Sequence, residues 1–179
     1  MEYSVGRKYS TIKQPSIGGS FKEAEVELKL KSISIESIPK AISKVELYRY
    51  LNEPEEAESI CRDIIAADPD NQLGIRMLGL CITDQFTGGM SDRFAEAAKL
   101  FQSLANFYER FYYTGLLHER RAKAQLKSGS SPHTVLVLFE EAMRCYEEAE
   151  RICPDDNDEA LLRWNPARLA TILLGNRPM

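Results

Sequence analysis

The period of the apolar positions changes near residue 37, and that change divides the chain. Between residues 21 and 35, Val26, Leu28 and Leu30 alternate with Glu25, Glu27, Lys29 and Lys31, and Ile33 and Ile35 follow one step out of phase. A period of two predicts a half-buried strand, and the slip predicts a bulge or bend. A lone strand leaves its backbone groups unpaired, so this segment needs a partner, either residues 1–20 folded back as a hairpin or another chain. Residues 1–20 hold Gly6, Pro15, Gly18 and Gly19 and no periodicity, which reads as an extended arm. The expected organisation is an N-terminal arm over 1–36 and a helical domain over 37–179.

Helical spacing begins at Pro39, with Ser37 as its cap, and Ala41, Val45, Tyr48 and Leu51 predict a helix over 39–51. Asn52 with Pro54 and Glu55 resembles a capping box for a second helix over 54–67. Leu73, Met77 and Leu80 mark a third helix, and a fourth is expected over about 92–107. Between them, residues 83–91 include Gly88-Gly89 and predict a flexible or sharply turning loop, a candidate contact site. Two long helices are expected over 107–127 and 132–153, separated by Ser128-Gly129-Ser130-Ser131, with Ser131 as cap and Pro132 at the first helical position. At about 31 Å each they should protrude beyond their neighbours. A short helix over 158–164 and a last one begun by Asn165-Pro166 and stopped by Gly175 are expected to cover the end.

One stretch occurs twice. Glu55-Glu56-Ala57, with Cys61, Ile64 and Pro69 at +4, +7 and +12 from the alanine, returns as Glu140-Glu141-Ala142 with Tyr146, Ala149 and Pro154. A fainter copy, Ala97, Phe101 and Leu104, has Glu109 in place of the proline. This pattern resembles the second helix of a tetratricopeptide repeat (TPR), an antiparallel helix pair recurring every ~34 residues. Leu78-Gly79 matches the small position where such helices approach closely. The resemblance covers roughly 38–164. The blocks Tyr112–Ala124 and Asn157–Asn165 are similar to those of a group of uncharacterised bacterial TPR proteins. It implies an all-α TPR-like solenoid of three helix pairs plus capping helices, with a groove lined by the first helix of each pair.

Composition narrows the function classes. With 44% hydrophobic and 28% charged residues, the chain falls in the ordinary globular class. A net charge of −4 does not call for nucleic acid or an anionic membrane surface. No apolar run approaches a membrane span or a secretory signal, so a cytoplasmic location is expected. Cys61, Cys81, Cys145 and Cys153 include no C-x-x-C pair; Cys61 occupies the apolar +4 slot, so core packing is expected for it and reduced thiols for all four. No metal or other cofactor is expected.

The densest polar cluster is His118, Glu119, Arg120, Arg121, Lys123 and Lys127. Beside Tyr112 and Tyr113, its cations form a candidate strip for a carboxylate or phosphate. The structural alternative is ion pairing with Glu140, Glu141, Glu147 and Glu148, and for His118 a place in the core. Arg76, Leu80, Thr83 and Asp84 occupy slots that the resemblance turns toward the groove. The Lys and Asn of a TPR carboxylate clamp are absent, since Ile42 and Glu46 stand in their places. Catalytic motifs are missing, and His118 and Glu119 point about 100° apart on a helix, so no enzyme is expected. Trp164 reads as a packing plug.

The reading is a non-catalytic scaffold that binds a protein or peptide partner through Arg76, Asp84, Tyr112, Tyr113, Arg120 and Arg121. Two other readings stand beside it. One is a homodimer paired through the 24–35 segment. The other is an RNA or anionic-ligand binder using Arg120, Arg121, Lys123 and Lys127, which would be salt-dependent. No membrane partner is expected.

Overall fold

The computed structural model describes residues 31–154 and 156–175. All regular structure among them is helical. A 3-10 turn, Ile35–Ser37, leads into α1 (Ile38–Tyr50), followed by α2 (Pro54–Ala67), α3 (Gln72–Asp84), α4 (Phe94–Gln102), α5 (Phe107–Lys127), α6 (Pro132–Arg151) and α7 (Glu159–Gly175). Each helix packs on the next in sequence, and α1, α3, α5 and α7 also meet their second neighbours. The arm over 1–20 and most of the 24–35 strand lie outside the described residues. Within that segment, Ile33 packs against the core and Ile35 enters the 3-10 turn, largely exposed.

Buried positions explain the repeated stretch. Ala57, Cys61 and Ile64 of α2, Ala97 and Phe101 of α4 with Leu104 just beyond it, and Ala142, Tyr146 and Ala149 of α6 are all fully buried. The +4 residue sets how closely the preceding helix approaches. Phe101 lies against Gly79 of α3, and Tyr146 lies against Gly115 of α5, where an added Cβ would fall 2.7 Å from the tyrosine ring. A wide side chain on one helix fills the space that the glycine leaves on the other. In the first copy the +4 residue is the small Cys61, and the neighbouring α1 buries Ile42 and Val45 rather than a glycine.

Several boundaries differ from expectation. Asn52 caps no helix: its φ is +60°, its N–H donates to the Arg49 carbonyl, and the Glu53 N–H donates to the Tyr48 carbonyl. This is a Schellman ending of α1, which asparagine tolerates in the left-handed region. The fourth helix stops at Gln102, because Asn106 caps α5 by accepting from the Glu109 N–H at 3.3 Å. Position +12 of the middle copy therefore falls inside the next helix, where Glu109 rather than proline suits the first turn. Ser131 caps α6 as expected, accepting from the Thr134 N–H.

The expected break at Asn165-Pro166 does not occur. Pro166 lies inside a continuous α7. Proline costs one backbone hydrogen bond, but Ala160, Ala167, Thr171 and Leu174 are buried on one face of α7, and a break would separate them. That face covers α6, with Ala167 and Leu174 packed beside Val135 and Phe139. The opposite face exposes Leu162, Leu169, Ile172 and Leu173, so α7 lacks the polar outer surface expected of a terminal cap. The α5–α6 hairpin is not free-standing either, because α7 lines it and the 83–91 loop abuts its far end.

That loop is tethered. Asp92 accepts from the Thr87 N–H at 2.8 Å, from the Thr87 hydroxyl at 3.1 Å and from the Gly88 N–H at 2.8 Å. Gly88 has φ +87°, and a Cβ there would meet the Ala124 carbonyl of α5 at 2.6 Å. Glycine is required both for the turn and for the close approach.

Candidate functional site

A groove of about 810 Å³ opens where α3, the start of α5 and the start of α7 converge. Its floor is Met77, Leu80, Tyr112 and Tyr113, and Arg76 stands on one wall. Tyr108, Glu109 and Leu162 also line it, and the exposed Asp156, Asp158 and Glu159 rim the mouth. Tyr113 is stacked on Phe101 with ring centroids 5.5 Å apart, while Tyr112 stands edge-on to it at 5.1 Å. The buried +4 residues thus hold the groove tyrosines from beneath. The Arg76 guanidinium lies 5.8 Å above the Tyr113 ring and donates to Glu109 at 2.7 Å.

The six residues singled out from sequence divide. Arg76, Tyr112 and Tyr113 line the groove. Asp84 and Arg120 meet each other instead: Arg120 lies 2.5 Å from Asp84 and donates to the Thr83 hydroxyl at 2.5 Å and the Leu80 carbonyl at 3.2 Å. Arg49 of α1 takes the other Asp84 oxygen at 2.7 Å. Burial lowers the Arg120 pKa, with Asp84 opposing that shift. Arg121 points elsewhere, with its guanidinium 4.8 Å over the ring of Phe94 on α4.

The α5 cations therefore do not form one open strip. They also do not pair with the four α6 glutamates as the structural alternative expected. Glu141 and Glu148 bind Arg144 and Arg151 of their own helix, and Glu147 accepts from the Trp164 indole at 3.0 Å. Lys123 binds Glu119, which is 1% exposed and also accepts from the Tyr146 hydroxyl at 2.5 Å, with Arg163 at 3.6 Å. Burial, followed by the neighbouring Glu119 charge, pushes the Tyr146 phenol up. Lys127 forms no ion pair among the described residues.

Other candidates are structural. His118 is edge-on to Phe94 at 5.3 Å, its Nδ1 has no partner among the described residues, and burial lowers its pKa. Cys61 and Cys81 are buried free thiols. The hydrogen bond to Cys81, then burial, raises the Cys61 pKa. Among the described residues no group of three or more His, Cys, Asp or Glu is arranged to hold a metal ion, and no helix is long and apolar enough to cross a membrane.

Sequence spacing did not reveal that Glu58 and Glu119 are buried, nor the acidic rim. Glu58 of α2 takes both Arg93 nitrogens, at 2.7 and 2.5 Å, together with Arg62 and Gln85. The Arg93 hydrogen bonds hold its carboxyl down to about 2, against opposing burial. The available signal was helical phase: Glu58 stands three residues before the buried Cys61, and Glu119 three after Leu116 and three before Ala122. The rim was visible as the acidic run before α7, but only the fold carries it to Tyr108 and Arg76.

No family model matches the chain, and no curated protein or solved structure matches it.

Proposed function

We propose that this chain is a non-catalytic TPR-like scaffold that binds a protein or peptide through the face formed by α1, α3, α5 and α7. One observation carries the reading: an open groove of about 810 Å³, floored by Met77, Leu80, Tyr112 and Tyr113, lies between alternate helices. Tyrosines give a large contact area with few rotors to freeze, and an apolar floor edged by polar groups offers a ligand both contact area and orientation. The spacing of the buried motif residues supports the repeat architecture. The glycine–aromatic contacts at Gly79–Phe101 and Gly115–Tyr146 support it further. Nucleic acid is disfavoured, because Arg49, Arg76 and Arg120 are already engaged by carboxylates of the same chain.

The test is a two-dimensional 1H–15N NMR titration with a pool of degenerate 12-residue peptides. Shift changes confined to α3, the first turns of α5 and the start of α7 are expected. Changes centred on α2, α4 and α6, or none at millimolar peptide, would overturn the proposal.

A further inference from the structure

We infer that the groove selects a basic partner segment, with a lysine or arginine at its acidic rim and a bulky apolar residue beside it. The inference rests on the groove reading above and adds the sign of the ligand. The groove is lined by one cation, Arg76, and by four carboxylates, Glu109, Asp156, Asp158 and Glu159. Arg76 is spent on Glu109 at 2.7 Å. Asp156, Asp158 and Glu159 are exposed and have no ion-pair partner among the described residues. The nearby guanidinium groups that could have reversed this balance do not line the groove: Arg49 and Arg120 are held on Asp84, and Arg163, beside Tyr112, lies 3.6 Å from Glu119. A partner carboxylate would meet three like charges at the mouth, and a partner cation would meet three unneutralised opposite ones. Complementarity of this kind sets partner choice and encounter rate.

A second concavity fixes what accompanies the charge. Phe107, Phe111, Ile152 and Pro154 surround a depression of about 580 Å³ that shares Asn106 and Tyr108 with the acidic groove. Phe107 and Phe111 of α5, and Ile152 just beyond α6, remain exposed there. The shared Tyr108 gives the two sites a common wall, so neighbouring residues of one extended segment can reach both. Tyr108 and Tyr112 are stacked at 5.8 Å, and the Tyr108 hydroxyl contacts Asn157 at 3.4 Å, which ties that wall to the rim.

The test uses the full chain and three fluorescein-labelled 12-residue peptides around a central phenylalanine, flanked by lysines, glutamates or serines. Fluorescence polarisation at low salt should show the lysine peptide bound at least tenfold more tightly than the glutamate peptide. The triple variant Asp156→Asn, Asp158→Asn, Glu159→Gln should weaken the lysine peptide by roughly tenfold and flatten its salt dependence, as expected for three partly exposed charge contacts. Ile152→Ser should weaken it again, but should not change binding of a lysine peptide with a central glycine. Circular dichroism of each variant checks that these exposed substitutions leave the fold intact.

A glutamate or serine peptide that binds better, and is displaced by Tyr108→Ala, would overturn the basic assignment and keep the groove. Lysine-peptide binding that the triple variant leaves unchanged would overturn the assignment, and its persistence in Tyr108→Ala would overturn the groove as well. Absence of binding by all three peptides would overturn both. Self-association that the triple variant abolishes would replace the peptide with a second copy of the chain.

Discussion

Arg120 of α5 lies 2.5 Å from Asp84 at the end of α3, on the carboxylate whose other oxygen takes Arg49 of α1. One aspartate thus joins three helices that are not adjacent in sequence, and all three side chains are about a quarter exposed or less. Removing the shared anion leaves two facing guanidinium groups in a half-dry site. Asp84→Asn should therefore destabilise the fold by about 2 kcal/mol in urea unfolding. Arg120→Ala should cost less in the Asp84→Asn background than in the native chain, and strict additivity would disprove the coupling. Arg121→Ala, which removes only a contact with Phe94, should stay within about 1 kcal/mol.

The close approach of α5 and α6 gives a second prediction. Gly115→Ala places a methyl 2.7 Å from the Tyr146 ring and 3.1 Å from the Ala142 carbonyl oxygen. Alanine improves helix propensity by about 1 kcal/mol, but moving a buried ring pinned to Glu119 costs more. A lower melting temperature is expected, and a raised one would show that the helices can part without loss.

Glu58 predicts acid sensitivity. Its folded pKa, about 2, lies below the ordinary value of 4.5, so its contribution to stability is complete above 4.5 and is lost as pH falls toward 2. The loss should amount to about 3 kcal/mol over that window. Glu58→Gln should be less stable at pH 7 and show a shallower fall between pH 4.5 and 2, measured by denaturant unfolding at each pH.

His118 should titrate in NMR below its ordinary value of 6.5, because burial disfavours the imidazolium. Its folded pKa is depressed, so the associated stability is complete above 6.5 and declines as pH falls through the folded value. A titration at or above 6.5 would mean that the ring is open to water or paired.

Much of the helical order was legible because packing repeats itself. Ala57, Ala97 and Ala142, with residues four and seven positions on, must face a neighbouring helix, and 3.6 residues per turn prints that requirement into the chain. Ser131-Pro132 could be read as a helix start because capping is local. Asn52 and Pro166 misled for the converse reason. The same asparagine serves a helix start or a left-handed ending, and proline is tolerated mid-helix once buried residues on both sides hold the helix together.

Charge assignments were the least legible. Arg76, Arg120 and Arg121 look alike in a linear reading, yet one stands over Tyr113 beside Glu109, one is bound to Asp84 and one is stacked on Phe94. Pair energies depend on separations of a few ångströms between residues 27 or more positions apart, and sequence spacing carries no such information. The sequence alone determined the succession of helices through α6 and the inward-facing positions of the repeated stretch, because those follow from local period and capping. Tertiary structure alone decided which charges neutralise one another. By bringing the acidic start of α7 beside Arg76 and Tyr108, it decided that the groove presents carboxylates rather than guanidinium groups.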